Sequence, residues 1–354
     1  MIIYILLAII IAVFTTYQKR VWMIGKLTIE NRSLYFYFLS IILVVVSSIR
    51  YGVGTDYETY KKAFEEFYCQ GKNPYWLNFE WGFIMLNKGV ALISDNIQSL
   101  LALSAIITMA FFVKTYRDNS NDQLFSLFLF VTLYFYATSF NIVRQSIALA
   151  IVFWGTKDLM YKKPKSYFMK VVVASLFHTS ALIMIPFYFV GVREVKFKLY
   201  LFGGICAMVS IFFYSRLMSI LVKFVPQYAI YIDYKSDSSI LNFIFLILNL
   251  FLLIIVWRGK ESLQYQKNRQ IDIYIHTCCW ALLFCLLSPL NILFSRIAMY
   301  FFVYSTLSVP YCFDFFDRKS KYLLKCGIVF IAIAIYIYYL YNNVAGVVPY
   351  ECIL

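Results

Sequence analysis

The chain has 354 residues, of which 62% are hydrophobic and only 14% charged. This excludes a soluble globular protein, which needs a polar surface rich in charge. The net charge of +14 would point to nucleic acid in a soluble chain, but here the basic residues lie in short loops between apolar stretches, where they report membrane orientation.

Apolar stretches of about 17–24 residues, long enough to cross a hydrocarbon core about 30 Å thick, recur from end to end. Their backbone polar groups have no water to bond in lipid, so the predicted fold is all-α and polytopic. The first stretch, Met1 to Tyr17, has no basic start and no small-residue cleavage site, and Lys19 and Arg20 follow it. It reads as a retained first span with its N-terminus outside. Full spans are predicted near 2–18, 34–49, 97–113, 123–140, 142–156, 199–214, 240–257, 272–288, 297–313 and 324–341, about ten in all. No linker or repeat divides 1–354, which is read as one transmembrane domain. The longest loop, 50–96, contains Gly52, Gly54, Gly71, Pro74 and an aromatic run from Tyr75 to Trp81. It predicts short interfacial helices on the outer side.

Charge decides the remaining stretch, 168–190. Read as a hairpin of two half-length helices, it places 19–33, 114–122, 157–170, 191–198, 258–272 and 314–325 all on the cytoplasmic side. Those segments hold 22 of the 32 Lys and Arg residues but 9 of the 18 acids, so the inside carries +13 and the outside +1. A single span would push basic segments such as Arg318–Lys321 outside, against the positive-inside rule. The hairpin reading puts both termini outside. Each arm of about 11 residues rises about 16 Å, half a bilayer, and its tip carries Phe177-His178-Thr179. Non-helical backbone at that depth requires surrounding protein or a water-filled cavity.

Four features then fall on or open to the outer side: Arg50-Tyr51-Gly52-Val53-Gly54-Thr55-Asp56-Tyr57 with Tyr60, Asn141-Ile142-Val143-Arg144-Gln145, His178, and Ser288-Pro289 to Arg296. Each arginine alone also fits snorkelling to headgroups or a structural ion pair. Three at one membrane level, with a midplane histidine, fit an anionic ligand such as a lipid-linked phosphate or pyrophosphate, because planar guanidinium forks match phosphate oxygens. His178 is a candidate base or orienting group, or a hydrogen-bonded packing residue. Asp56 is a candidate acid or a turn cap. Glu80, beside Trp81, is a further acid whose simplest role is anchoring an interfacial helix. With two histidines and eight scattered cysteines, no metal site is expected. Cys278, Cys279 and Cys285 match no zinc or redox spacing. Walker, GxGxxG, HExxH, GxSxG and DxD motifs are absent from the sequence, which argues against ATP-driven transport and nucleotide-sugar-dependent transfer.

The chain resembles the EpsG family, a branch of the Wzy-type polymerases of bacterial surface polysaccharides. The resemblance rests on Arg50-Tyr-Gly-Val-Gly-Thr-Asp56-Tyr57-x-x-Tyr60, Asn141-x-x-Arg144-Gln145-x-Ile-Ala, Phe177-His178-Thr-Ser-Ala-Leu, Ser295-Arg296 and the C-terminal Pro349-Tyr350. It implies a glycosyltransferase of the bacterial cytoplasmic membrane that needs no metal or cofactor. Such an enzyme joins oligosaccharide repeat units carried on undecaprenyl pyrophosphate, in the O-antigen, capsule or exopolysaccharide pathway. It also implies a flippase and a chain-length regulator as partners, besides membrane lipid. On this resemblance Arg144, Arg296 and Arg50 hold pyrophosphate, and His178 or Asp56 takes the acceptor proton. Gln145, Tyr57, Tyr60, Glu80 and Trp81 contribute to substrate binding. Two rival classes remain at this point: a transporter or flippase for a lipid-linked sugar or anionic solute, and a related O-antigen ligase or membrane acyltransferase.

Overall fold

The computed structural model describes residues 1–16, 21–24, 27–69, 79–196, 239–261 and 269–353, with a few isolated positions between 200 and 223. The span expected over 199–214 lies largely outside the described residues, as do Tyr75 to Asn78 of the aromatic run and Lys267. Among the described residues the chain is helical apart from one β-hairpin. Its strands β1 (Val21–Ile24) and β2 (Leu27–Glu30) pair antiparallel with Val21 opposite Glu30.

Among the described residues, four helices are long and apolar enough to cross a membrane: Asn31–Ser48, Ile97–Asn119, Arg269–Leu287 and Arg318–Tyr341. Ile292–Phe302 with Ser305–Phe315, bent by 41°, makes a fifth if counted as one span. Ile2–Thr16, Gln123–Thr132, Thr179–Gly191 and Leu246–Arg258 are shorter apolar helices. Two expected single helices are broken. The stretch 123–140 divides into Gln123–Thr132 and Phe135–Thr138, because Tyr134 adopts a left-handed φ of 71°. The Tyr134 ring lies 4.8 Å from Tyr339, and its hydroxyl donates to the Val344 carbonyl. The stretch 297–313 begins earlier, at Ile292, and bends beyond Phe302.

The described residues form two compact units. Unit 1 comprises Met1–Lys157, Lys165–Leu182 and Val309–Leu354. Its core is α6 (Gln123–Thr132) and α8 (Val143–Trp154), which are buried on nearly every face, as expected for helices that are apolar all round. Around them pack α1 (Ile2–Thr16), α2 (Asn31–Ser48), α5 (Ile97–Asn119) and the long helix Arg318–Tyr341. That last helix turns most of its apolar surface outward, which suits a lipid solvent.

Four of the segments predicted to share the cytoplasmic side are joined by ion pairs at one end of this unit. Asp122 sits between Arg32 (2.6 Å) and Lys325 (2.7 Å), and its Oδ1 also caps α6 by accepting from the Phe125 amide at 3.2 Å. Arg117 and Lys157 both reach Asp118. The two termini share an end as well: the Tyr4 and Tyr350 rings meet edge to face at 5.7 Å.

The 50–96 loop contains α3 (Tyr57–Ala63), a π-helical turn (Phe64–Cys69) and α4 (Trp81–Ala91), short helices of the kind expected there. Helix α10 (Pro164–Ser175) spans about 18 Å at 1.5 Å per residue. It stops one turn before His178, and helical structure resumes at Thr179. The helix is therefore interrupted over 176–178, at the expected tip residues Phe177 and His178.

Unit 2 comprises Asp158–Pro164 and Ile183–Ser308. Met184–Gly191, Ser239–Glu261 and Ile292–Phe302 pack on Arg269–Leu287. Aromatic rings join them, with Phe301 lying 5.1 Å from Phe187 and 5.2 Å from Trp280. Edge-on and offset ring pairs of this kind add to the area they bury.

Candidate functional site

The site is assembled in unit 1 by a close approach of two backbones. The Gly82 amide, in the first turn of α4, donates to the Leu176 carbonyl at 2.7 Å. A Cβ on Gly82 would lie 2.8 Å from that carbonyl oxygen, so only glycine allows the approach. The contact sets Glu80, two residues upstream, against His178, two residues beyond Leu176.

Glu80 is the centre of what results. One carboxylate oxygen, Oε1, lies 2.8 Å from His178 Nδ1 and accepts from the Thr179 amide at 3.1 Å. The other, Oε2, accepts from Arg144 Nη1. All three side chains are mostly but not fully buried, with exposures of 13% for Glu80, 19% for His178 and 24% for Arg144. The Arg144 guanidinium lies 4.7 Å over the Phe79 ring and hydrogen-bonds Tyr60. Tyr60 in turn packs on Phe79 and Phe83.

Burial alone would raise the Glu80 pKa. The His178 hydrogen bond and the Arg144 charge outweigh it and hold the carboxyl at about 2. Glu80 is therefore ionised at neutral pH. A carboxylate on Nδ1 fixes the tautomer of a neutral imidazole, with the proton on Nδ1 and an electron pair on Nε2. Burial raises the Tyr60 phenol, and Arg144 offsets part of that rise.

The sequence-predicted residues separate into three sets. Arg144, His178, Glu80 and Tyr60 come together. Asp56 stands at the N-terminus of α3, close enough to Tyr60 to act on it electrostatically. Tyr57 is buried edge-on against Tyr51 at 5.9 Å, Gln145 is buried in α8, and Trp81 is 67% exposed at the start of α4.

Arg50 is held at the end of its own helix. It is 2% exposed, its Nη1 donates to the Ser47 carbonyl and hydroxyl, and its guanidinium lies 4.6 Å over Phe140. A cation there meets the negative end of α2 rather than the Glu80 cluster. Arg296 belongs to unit 2, half-buried in Ile292–Phe302.

The sequence offered Glu80 as a helix anchor or a minor substrate contact, not as the centre of a cluster. Its signal was present but faint: it is a lone acid between Phe79 and Trp81, where burial would force it to find partners. Among the described residues, no three His, Cys, Asp or Glu side chains converge in a way that could hold a metal ion.

No curated protein and no solved structure matches the chain. The family model described as EpsG family matches residues 33–352, nearly the whole chain, including every residue of the Glu80 cluster. By that match, and with the motif residues gathered as described, the chain belongs to the EpsG family.

Proposed function

We propose that this protein polymerises undecaprenyl-pyrophosphate-linked oligosaccharide repeat units into a surface polysaccharide, by glycosyl transfer at the outer face of the bacterial cytoplasmic membrane. Membership of the EpsG family supports a polysaccharide polymerase. The observation that carries the chemistry is the Glu80–His178 pair beside Arg144.

An acceptor hydroxyl on the non-reducing sugar of one repeat unit attacks the anomeric carbon of the growing chain. The bond from that carbon to the pyrophosphate oxygen breaks. His178 Nε2 takes the hydroxyl proton, and Glu80 steadies the imidazolium that forms. The electron pair leaves with undecaprenyl pyrophosphate, whose charge Arg144 stabilises by dividing its donors between Glu80 and the phosphate oxygens. Arg296 is retained as a pyrophosphate ligand on the resemblance alone. Arg50, whose Nη1 bonds Ser47 and whose guanidinium lies over Phe140, is retained as an assisting pyrophosphate ligand on the resemblance alone. No metal enters this scheme.

The proposed topology has ten spans, the half-membrane hairpin near 168–190 and both termini outside, all of 1–354 serving as one polymerase domain. Its support is that the basic segments around Asp122 and Asp118 gather at one end of unit 1 while the termini share an end. A flippase and a chain-length regulator are the proposed partners.

The decisive experiment is a polymerisation assay with purified lipid-linked repeat units. Arg144→Ala and His178→Ala are expected to fold normally and lose about a hundredfold or more in turnover. Full activity in both variants overturns the assignment.

A further inference from the structure

The last eleven described residues do not trail from the molecule. They lie antiparallel to the loop that carries Arg50 to Asp56. The Ile353 amide donates to the Ile49 carbonyl at 3.1 Å, Arg50 and Cys352 form a β-bridge, and the Tyr51 amide donates to the Glu351 carbonyl at 2.9 Å. Farther along, the Gly54 amide donates to the Gly346 carbonyl at 3.0 Å and the Thr55 amide to the Ala345 carbonyl at 3.3 Å. The Tyr350 hydroxyl donates to the Val46 carbonyl at 2.7 Å. The segment is braced internally by Asn343, whose side chain bonds both the amide and the carbonyl of Val348.

One atom joins two motifs. The Ala345 carbonyl accepts from the Thr55 amide and also from Asn141 Nδ2. Thr55 precedes Asp56 and α3, which carries Tyr60. Asn141 precedes Arg144 by less than one helical turn. The same carbonyl therefore ties together the two segments that deliver the partners Tyr60 and Arg144.

The backbone is strained at this point. Ala345 has φ of 75°, a left-handed value that residues with a Cβ rarely adopt. Asn343 and Gly346 also have positive φ. Strain persists where the surroundings over-determine it, and such residues cluster where geometry matters to function. The fit is also tight. A Cβ on Gly346 would lie 2.9 Å from Thr55 Cγ2, and one on Gly54 would lie 2.5 Å from Asn141 Oδ1.

We propose that the C-terminal segment 343–353 is a positioning strap: through the Ala345 carbonyl it locks the 50–56 loop to the 141–144 turn, and so fixes Arg144 against Tyr60 and Glu80. Asn141 and Gly346 are the positioning residues, and neither touches substrate. The catalytic half of this proposal rests on the polymerase reading above; the mechanical half does not.

The test compares the full-length wild type with Gly346→Ala and Asn141→Leu, purified in detergent. Site-resolved amide hydrogen exchange is measured alongside kcat and KM for polymerisation of an undecaprenyl-pyrophosphate-linked repeat unit. Exchange at 51–60 is expected to rise about tenfold or more in both variants, with α2 and α5 unchanged. Turnover falls by up to about a hundredfold, with KM within about threefold, as misplacement of a catalytic group predicts. Adding Thr55→Ser to Gly346→Ala removes the clashing methyl and restores part of both properties, which a general loss of stability does not predict. Unchanged exchange at 51–60, uniform loosening through α2 and α5, or wild-type turnover with a loosened loop overturns the strap. A wild-type chain that shows the exchange pattern but does not polymerise overturns the polymerase reading and supports the mechanical half.

Discussion

Among the described residues of unit 1, Asp118, Asp122 and Glu80 each bridge two basic side chains, and the last two differ in kind. Asp122 lies between Arg32 and Lys325, and Glu80 lies between Arg144 and His178. Exposure does not distinguish them, at 11% for Asp122 and 13% for Glu80. Chemistry does. Asp122 also caps α6 and binds a guanidinium and an ammonium, groups that only donate, so its network is a fastening. Glu80 pairs with an imidazole, whose second ring nitrogen can accept and return a proton. It also sits against a helix interruption and not at the start of a core helix. A carboxylate between two basic side chains is thus no signature of catalysis; an imidazole partner beside non-helical backbone is the distinguishing feature.

Several measurements can break this contrast, and the largest effect is expected at Glu80. Glu80→Gln keeps the shape but removes the charge that orients His178, and should cost about a hundredfold or more in turnover. Combined with His178→Ala it should cost little more than the worse single variant, because residues acting as a unit are not additive. Additive losses in that cycle would show that the pair does not work together.

Asp122→Ala should behave in the opposite way. It leaves Arg32 and Lys325 without their partner and removes a cap, for about 1–3 kcal/mol of stability. Turnover at a temperature where the protein stays folded should be unchanged. A thermal midpoint equal to that of the wild type, or a loss of turnover without unfolding, would erase the distinction drawn here.

The smallest effect is seen in acid. The Glu80 carboxyl is depressed in the fold, to about 2 from an ordinary 4.5, so its pairing contributes stability that is complete above 4.5. That contribution is lost as the pH falls through the window down to about 2. Relative to Glu80→Gln, the wild type should therefore show a steeper loss of stability across that window. Parallel acid-unfolding curves would mean that Glu80 is not held ionised by its partners.

Much of the site was legible before any geometry. Arg144 and His178 stood out as polar groups in apolar surroundings, where an uncompensated charge is costly and therefore informative. Charge patterning led to expecting a break near His178, and the helix is interrupted over 176–178. Glu80 was visible only as an acid in an aromatic neighbourhood. Its partners are 64 and 98 residues away in sequence, and no local pattern encodes such a pairing. Arg50 shows the converse: a motif-like arginine beside two glycines, whose side chain folds back onto the end of its own helix.

The sequence by itself determined that this chain is a multi-pass helical membrane protein, because hydrophobic length and loop charge are properties of composition and order. It also determined the family, through short motifs spread along the chain. Only the tertiary structure decided which carboxylate meets the histidine, where Arg50 points, and that residues 343–353 lie along the 50–56 loop. Those outcomes depend on backbones approaching to hydrogen-bond distance at Gly82, Gly54 and Gly346, and on contacts between segments far apart in the chain. Such contacts are set by packing in three dimensions and leave no periodic trace in sequence.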